Sequence, residues 1–332
     1  MVQYYPVPEE RVGLELDEFL CLLYPGVSKG FLRQAIRDGD IEVVGEETIC
    51  GRHLRFSDVI AVHLDEDELP RRRRGKVLDV ELVYEDANCL VANKPAGIAV
   101  EPERWSPELG CFLEEMEHWA AARAQAEADR FRPRLVHRLD KDTSGCLLFA
   151  KDLESERHLR RCFEAQTVRK AYLALVEGEF PLEDGERTLI DQPLGPDPRK
   201  AGRMQIVADG RPSQTEVWVE ERFAGYTLVG CAPRTGRTHQ IRVHLAYEGF
   251  PLVVDPLYGR RDKLLLSEIK SGYRHKQGSE ERPLMPRLTL HAWRLSWPSQ
   301  DPNAPAPEVE APLPKDLRTT LKQFAKVRPF RR

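Results

Sequence analysis

Nine residues, His137-Arg138-Leu139-Asp140-Lys141-Asp142-Thr143-Ser144-Gly145, pack an imidazole, a guanidinium, two carboxylates and two hydroxyls between two apolar runs. Leu135 and Val136 precede them and Cys146, Leu147, Leu148, Phe149 and Ala150 follow, which reads as a short buried strand entered from a loop. The polar cluster therefore sits at a strand mouth, where few partners are available within the cluster itself. A purely structural account pairs Asp140 with Arg138 and has Asp142 bond its own backbone in a turn.

Asp140-Lys141-Asp142-Thr143 also fits the first four positions of the Asp-x-Asp-x-Thr pattern of haloacid-dehalogenase-type phosphatases, in which a carboxylate attacks phosphorus beside magnesium. Here the fifth position is Ser144, the threonine comes one residue early, and His137-Arg138 interrupt the strand that the pattern needs. The whole string instead resembles, at every position, the signature of the RluA-type RNA pseudouridine synthases. The resemblance implies that Asp140 is the catalytic nucleophile and that Arg138 fills the place a flipped uridine vacates in the RNA.

Four further blocks agree in order and type. Val168 to Gly178 is a β-branched and aromatic run similar to the family's Lys-x-Tyr strand, whose tyrosine, here Tyr172, stacks on the target base. Arg234 to Leu245 resembles its Gly-Arg-Thr-His-Gln-Ile-Arg-Val-His block; Gly236 breaks a preceding strand, and Ile241, Leu245 and Tyr247 mark the apolar face of a helix. The resemblance gives Arg242 a salt bridge to the nucleophile. Phe250 to Gly259 is similar to the family's Asp-x-x-Tyr-Gly turn, and Asn93-Lys94-Pro95-Ala96-Gly97 to its Lys-Pro-x-Gly turn. Together the blocks cover about Val80 to Trp297. His239 and His244 lie five apart without a third obvious ligand, so no metal site is expected.

At 332 residues the chain has room for about two domains. It holds no apolar run near the ~18 residues of a membrane span, and its first residues have neither a basic segment nor an apolar core, so no secretory signal is expected. Seven scattered cysteines without a Cys-x-x-Cys pair read as reduced thiols, so a cytoplasmic location is expected. A net charge of −4 argues against indiscriminate nucleic-acid binding, but the cations cluster: Arg71 to Arg74 with Lys76; Arg199, Lys200 and Arg203; Arg234, Arg237 and Arg242; and Lys326, Arg328, Arg331 and Arg332. The second and third clusters are expected to meet phosphate, and the last to be a solvated face.

Residues 1–65 read as a separate unit. Leu14 to Leu23 suits a short helix, Pro25-Gly26 breaks it, Ser28 caps a second helix that Gly39 ends, and strands at Ile41 to Val44 and Val59 to Leu64 close a hairpin. This resembles the small RNA-binding module shared by a ribosomal small-subunit protein, tyrosyl-tRNA synthetases and many pseudouridine synthases, which implies RNA contact by Lys29, Arg33 and Arg37. Residues 66–79 form a charged linker, 80–300 the catalytic domain, and 301–332 a Pro-rich segment and a last helix from about Lys315 to Ala325. Ser106-Pro107-Glu108 starts a helix whose Leu109, Phe112, Leu113, Met116 and Trp119 are expected to pack on the sheet.

The family resemblance implies an α+β fold with a central mixed, largely antiparallel sheet flanked by helices and loops, preceded by the small α+β module. It further implies isomerisation of uridines in structured RNA, with large-subunit ribosomal RNA favoured over transfer RNA, by Asp140, Tyr172 and Arg242. The RNA-binding residues it implies are Arg138, His137, Lys94, Arg237, His239, Lys29, Arg33 and Arg37. Turning a uracil about its ribose gains no atoms and needs no redox partner, so no cofactor or obligate protein partner is expected. A guanidinium against Asp140 favours its charged, nucleophilic form, and lysine lacks the planar fork. Flipping the base costs a few kcal/mol, of which stacking on Tyr172 returns about 1 to 3 kcal/mol. The alternative from another class is a non-catalytic RNA-binding or ribosome-assembly protein that keeps the fold.

Overall fold

A computed structural model describes residues 2–65, 69, 79–103, 110–126, 129–274 and 280–330. Strand β1 (Gln3–Pro6), helices α1 (Leu16–Leu23) and α2 (Lys29–Asp38), and strands β2 (Ile41–Val43) and β3 (Val59–Val62) open the chain. The Ser28 hydroxyl accepts the Phe31 amide at 3.2 Å and caps α2. Gly39 then stops the helix in the left-handed region, at φ 84°. Phe19, Leu20, Leu32 and Ile36 bury against Ile41, Val43 and Ile60. The expected hairpin is in fact a three-stranded sheet in the order β1-β3-β2. Its added strand is four residues long and ends in proline, too short for alternation to betray it.

Two compact units divide the chain: Met1–Val80 with Val100–Arg134 and Lys151–Leu153, and Glu81–Ala99 with Leu135–Ala150 and Glu154–Arg332. The second unit begins with β4 (Leu82–Glu85) and β5 (Cys89–Lys94), after which the chain returns to the first as α3 (Phe112–Arg123). Val100–Arg134 thus groups with the N-terminal residues, although its sequence position falls within 80–300. Polar chemistry binds it there: Arg132 pairs with Glu117 at 2.8 Å and with Glu18 at 3.5 Å, Arg134 reaches Glu18 at 2.7 Å, and the Gly26 amide donates to Glu117. The run Arg71–Lys76, the helix start Ser106 to Leu109, and Arg331 and Arg332 lie outside the described residues.

The remaining elements are β6 (Arg134–Leu135), β7 (Ser144–Ala150), α4 (Leu153–Glu164), β8 (Arg169–Glu177), β9 (Arg187–Asp191), β10 (Leu194–Pro196), β11 (Met204–Ile206), β12 (Gln214–Phe223), β13 (Tyr226–Pro233), α5 (Gln240–Tyr247), α6 (Leu266–Ile269), β14 (Leu290–Ser296), β15 (Glu308–Glu310) and α7 (Lys315–Val327). The main sheet runs β4-β5-β7-β14-β8-β13-β12-β9, with β6 beside β7 and β15 beside β14. β7 and β14 pair in parallel, while β4–β5, β5–β7, β14–β8, β8–β13, β13–β12, β12–β9 and β14–β15 pair antiparallel, so the sheet is mixed and largely antiparallel. Ile241 and Leu245 of α5 bury against Ala174, Val176 and Val229, while Leu317, Leu321 and Phe324 of α7 join Leu173, Leu175 and Leu228. Because alternate residues of β8 feed these two clusters, both faces of the sheet are covered. Residues 301–332 therefore belong to the second unit through β15 and α7.

Candidate active site

One transverse row crosses five strands: Lys94 of β5 stands opposite Gly145 of β7, Gly145 opposite Ala292 of β14, Ala292 opposite Tyr172 of β8, and Tyr172 opposite Cys231 of β13. The polar loop His137 to Thr143 enters β7 at this row. Gly145 makes the approach possible: its φ is 114°, and a Cβ there would lie 2.1 Å from the Ala292 carbonyl oxygen. The sequence cluster is thereby brought level with the tyrosine that lies 32 residues further along.

Asp140 and Arg242 meet as expected, with Nη1 3.6 Å from Oδ2. The stronger grip on Arg242 comes from Asp255, whose carboxylate accepts Nε and Nη2 at 2.7 Å each. Asp255 is fully buried, and its Oδ1 also accepts the amides of Leu257 and Tyr258. Burial opposes the guanidinium's charge, but the Asp255 hydrogen bonds and the charges of Asp255 and Asp140 outweigh it and hold the Arg242 pKa above its ordinary value. Arg242 is thus a fixed cation with one face offered to Asp140. The Asp140 side chain is 27% exposed and remains reachable.

Tyr172 is half-buried at the open end of β8, whose later residues Leu173 to Glu177 are all buried. Burial first, then the charge of Asp140, raises its phenol pKa, so the ring stays neutral near Asp140. A neutral phenol can stack or donate a proton, and it makes a poor base. Lys170, two residues earlier, is pushed down by burial.

The expected RNA contacts separate into distinct groups. Lys94 is corrected: it is fully buried, and its ammonium donates to the carbonyls of Pro95, Ile98 and Lys141 at 2.8 to 2.9 Å. A cation with no exposed surface cannot meet phosphate; it ties the end of β5 to the residue after Asp140. Burial lowers its pKa to about 7, against the charges of Asp142 and Asp140. The His137 ring stacks on Phe163 at 4.8 Å and accepts the Leu148 amide, and burial drives its pKa down to about 3. It acts as a neutral acceptor inside the fold. Arg138 is exposed, and Arg237 is half-buried with Nε 3.4 Å from the Pro212 carbonyl. In the first unit, Lys29 bridges Asp17 and Glu18, Arg33 Nε reaches Asp17 at 2.6 Å, and Arg37 bonds Gln34. Two of the three cations expected on α2 are therefore paired with buried carboxylates.

His239 precedes α5 in the left-handed region, at φ 56°, and its Nδ1 shares a 2.9 Å hydrogen bond with the Tyr258 hydroxyl. The Tyr258 ring lies 5.1 Å from the Arg242 guanidinium. Sequence reasoning placed Asp255 and Tyr258 in a turn and missed their reach to Arg242. The signal was the Asp-x-x-Tyr-Gly spacing, which puts both side chains on one tight loop. Both nitrogens of His244 are engaged, by Thr215 at 2.9 Å and the Gln192 carbonyl at 3.0 Å.

A family model described as RNA pseudouridylate synthase matches residues 88–247. The ribosomal large subunit pseudouridine synthase D of Nitrosomonas europaea is 33% identical over 315 residues, spanning 95% of this chain and 86% of that protein. The ribosomal large subunit pseudouridine synthase C of Escherichia coli K12 is 32% identical over 337 residues, 98% of each. Among solved structures, human RNA pseudouridylate synthase domain containing 1 is similar with a TM-score of 0.54 and 28% identity, over 73% of this chain and 86% of its own.

Proposed function

Since the chain belongs to the RNA pseudouridylate synthase family, we propose that it isomerises specific uridines in large-subunit ribosomal RNA, with Asp140 as nucleophile. It is an isomerase acting on RNA. The observation that carries the assignment of Asp140 is its position: a reachable carboxylate held against a guanidinium that a second, buried carboxylate fixes. The names of the two curated relatives support ribosomal RNA as the substrate. Seven free cysteines support a cytoplasmic site of action, and among the described residues no helix is long and apolar enough to cross a membrane.

In the proposed reaction the bond from ribose C1′ to uracil N1 breaks, the ring turns, C1′ bonds to C5, the C5 proton leaves to water and N1 takes a proton from water, so that no atoms are gained or lost. Asp140 acts ionised, either by adding to C1′ or by taking a ribose proton on the way to a glycal. Arg242 keeps it charged and oriented, Tyr172 stacks on the uracil, and Arg138 enters the gap in the RNA. Residues 1–65 act as an RNA-binding module.

The test is tritium release from RNA labelled at C5 of uridine. Full-length protein is expected to release tritium from large-subunit ribosomal RNA, and Asp140→Asn to bind that RNA without release. Release from transfer RNA alone moves the substrate, and release by Asp140→Asn removes the nucleophile assignment.

A further inference from the structure

The basic hairpin and the catalytic guanidinium share one side chain. Strands β10 and β11 form a two-stranded ribbon outside the main sheet. Its tip is closed by Asp197 N to Arg203 O at 2.8 Å and Arg203 N to Lys200 O at 3.1 Å, and it exposes Arg199 and Lys200. Arg203 stands 3.7 Å from Asp197, and its buried Nε has no hydrogen-bond partner. The Arg203 side chain is 40% exposed, so its guanidinium can meet an anion. At the base of the tip, the Tyr258 hydroxyl accepts the Met204 amide at 2.8 Å.

The same oxygen bonds His239 at the start of α5, and the same ring lies 5.5 Å from Arg203 and 5.1 Å from Arg242. Its backbone amide donates to the Asp255 carboxylate that grips Arg242. Tyr258 is thus fastened at one end to the hairpin and at the other to the loop that fixes Arg242. We propose that Tyr258 is a positioning residue that seats the β10–β11 hairpin relative to Arg242, so that phosphate held by the hairpin and the reacting uridine are placed by one joint. This rests on the RNA isomerase reading above and adds to it the part that couples binding to catalysis.

The two ends of Tyr258 separate by substitution. Tyr258→Phe removes the hydroxyl that bonds both Met204 and His239 and keeps the ring beside Arg242; the Met204 bond is the one that reaches the hairpin. It is expected to raise KM for large-subunit ribosomal RNA about three- to tenfold, the equivalent of one net hydrogen bond, with a smaller change in kcat. The double variant Arg199→Ala, Lys200→Ala is expected to raise KM and to lower the slope of log K against log salt by about two, as two lost phosphate contacts require. If the hydroxyl acts through the hairpin, adding Tyr258→Phe to that double variant raises KM less than twofold further. An equal KM increase in both backgrounds, or a loss confined to kcat, overturns the proposal. Should the unmodified protein release no tritium from any RNA, the isomerase reading fails by itself. The same four proteins are then compared by filter binding to that RNA, and the same non-additivity criterion decides the joint.

Discussion

Asp255 gives the sharpest test of the site, because it has no exposed surface and four hydrogen bonds converge on it. Asp255→Asn keeps the shape, removes the charge and turns an amide NH2 toward either Arg242 Nε or the turn amides. Breaking a buried ion pair by removing one partner costs about 3 to 5 kcal/mol, since the other charge is left uncompensated. Asp140 remains 3.6 Å away as a weaker counter-charge, so the lower end of that range applies. The guanidinium then relaxes toward Asp140, and a displacement near 1 Å at a reacting group costs about 10²-fold in rate. Urea unfolding and tritium release measure the two effects on one preparation. Two companions isolate the pair. Arg242→Ala combined with Asp255→Asn should be no slower than Arg242→Ala alone, because the residues act as a unit. Arg242→Met with Asp255→Leu should regain stability while remaining inactive. If Asp255→Asn unfolds within about 0.5 kcal/mol of the parent and turns over within twofold of it, the bidentate pair is unimportant and the reasoning fails.

Three other perturbations follow from the same groups. Lys29, Arg134 and Arg132 overcome the burial of Glu18 and hold its pKa near 2, against an ordinary 4.5; this stabilisation, about 3 kcal/mol at most, is present above pH 4.5 and lost as pH falls toward 2. Glu18→Gln should therefore flatten the acid limb of a stability–pH curve, and an unaltered limb refutes the network's role. Lys94 has its pKa lowered from 10.5 to about 7, so the unfolded chain binds more protons between those values and stability rises with pH across that window. Lys94→Met should abolish that rise and slow turnover by freeing the Lys141 carbonyl; an unchanged rate at pH 6 refutes the tie to the catalytic loop. For Tyr172, whose phenol stays neutral, Phe should retain most of kcat and Ala should lose about 5- to 100-fold, the value of one stacked base; equal losses point to the hydroxyl instead.

What could be read in the chain was what neighbours in sequence encode. Ser28 and Gly39 bracket α2 through contacts within one turn of themselves, and the strand after Gly145 announces itself by five successive apolar side chains. Gly236 and Ile241 likewise located the loop and helix that carry Arg242. Lys94 was misread because its three acceptors are the carbonyls of residues 95, 98 and 141; the last becomes a neighbour only when β5 pairs with β7. Without that pairing, a lysine in a Pro-Gly turn looks like a surface cation. Asp255 was half-read for a similar reason: its bonds to the Leu257 and Tyr258 amides are local, and those to Arg242 cross from a loop to a helix. The pairing of Lys29 and Arg33 was not legible for another reason, since Asp17 and Glu18 lie on the preceding helix and the helix-to-helix packing that brings them together leaves no mark in either segment alone.

Lys94 and Asp255 also account for how the proposed nucleophile can be both reachable and fixed. Asp140 sits in a loop, the kind of segment that ordinarily moves, yet a reacting carboxylate must hold its place within a fraction of an ångström. Lys94 clamps the carbonyl of the next residue from below, through an ammonium shared with the end of β5. Arg242 faces the carboxylate itself, and Asp255 prevents that guanidinium from following it. Each buried cation thus has its own fixed acceptors, three carbonyls for one and a carboxylate for the other, so neither needs Asp140 to remain satisfied. The proposed nucleophile is left with an orienting charge at 3.6 Å in place of a closed bidentate pair. Had Arg242 only Asp140 to bond, the pair would close, and attack at ribose would begin by breaking it. Supplying Arg242 with a second carboxylate keeps the field and removes that barrier, which is the electrostatic preorganisation expected where charge moves in the transition state.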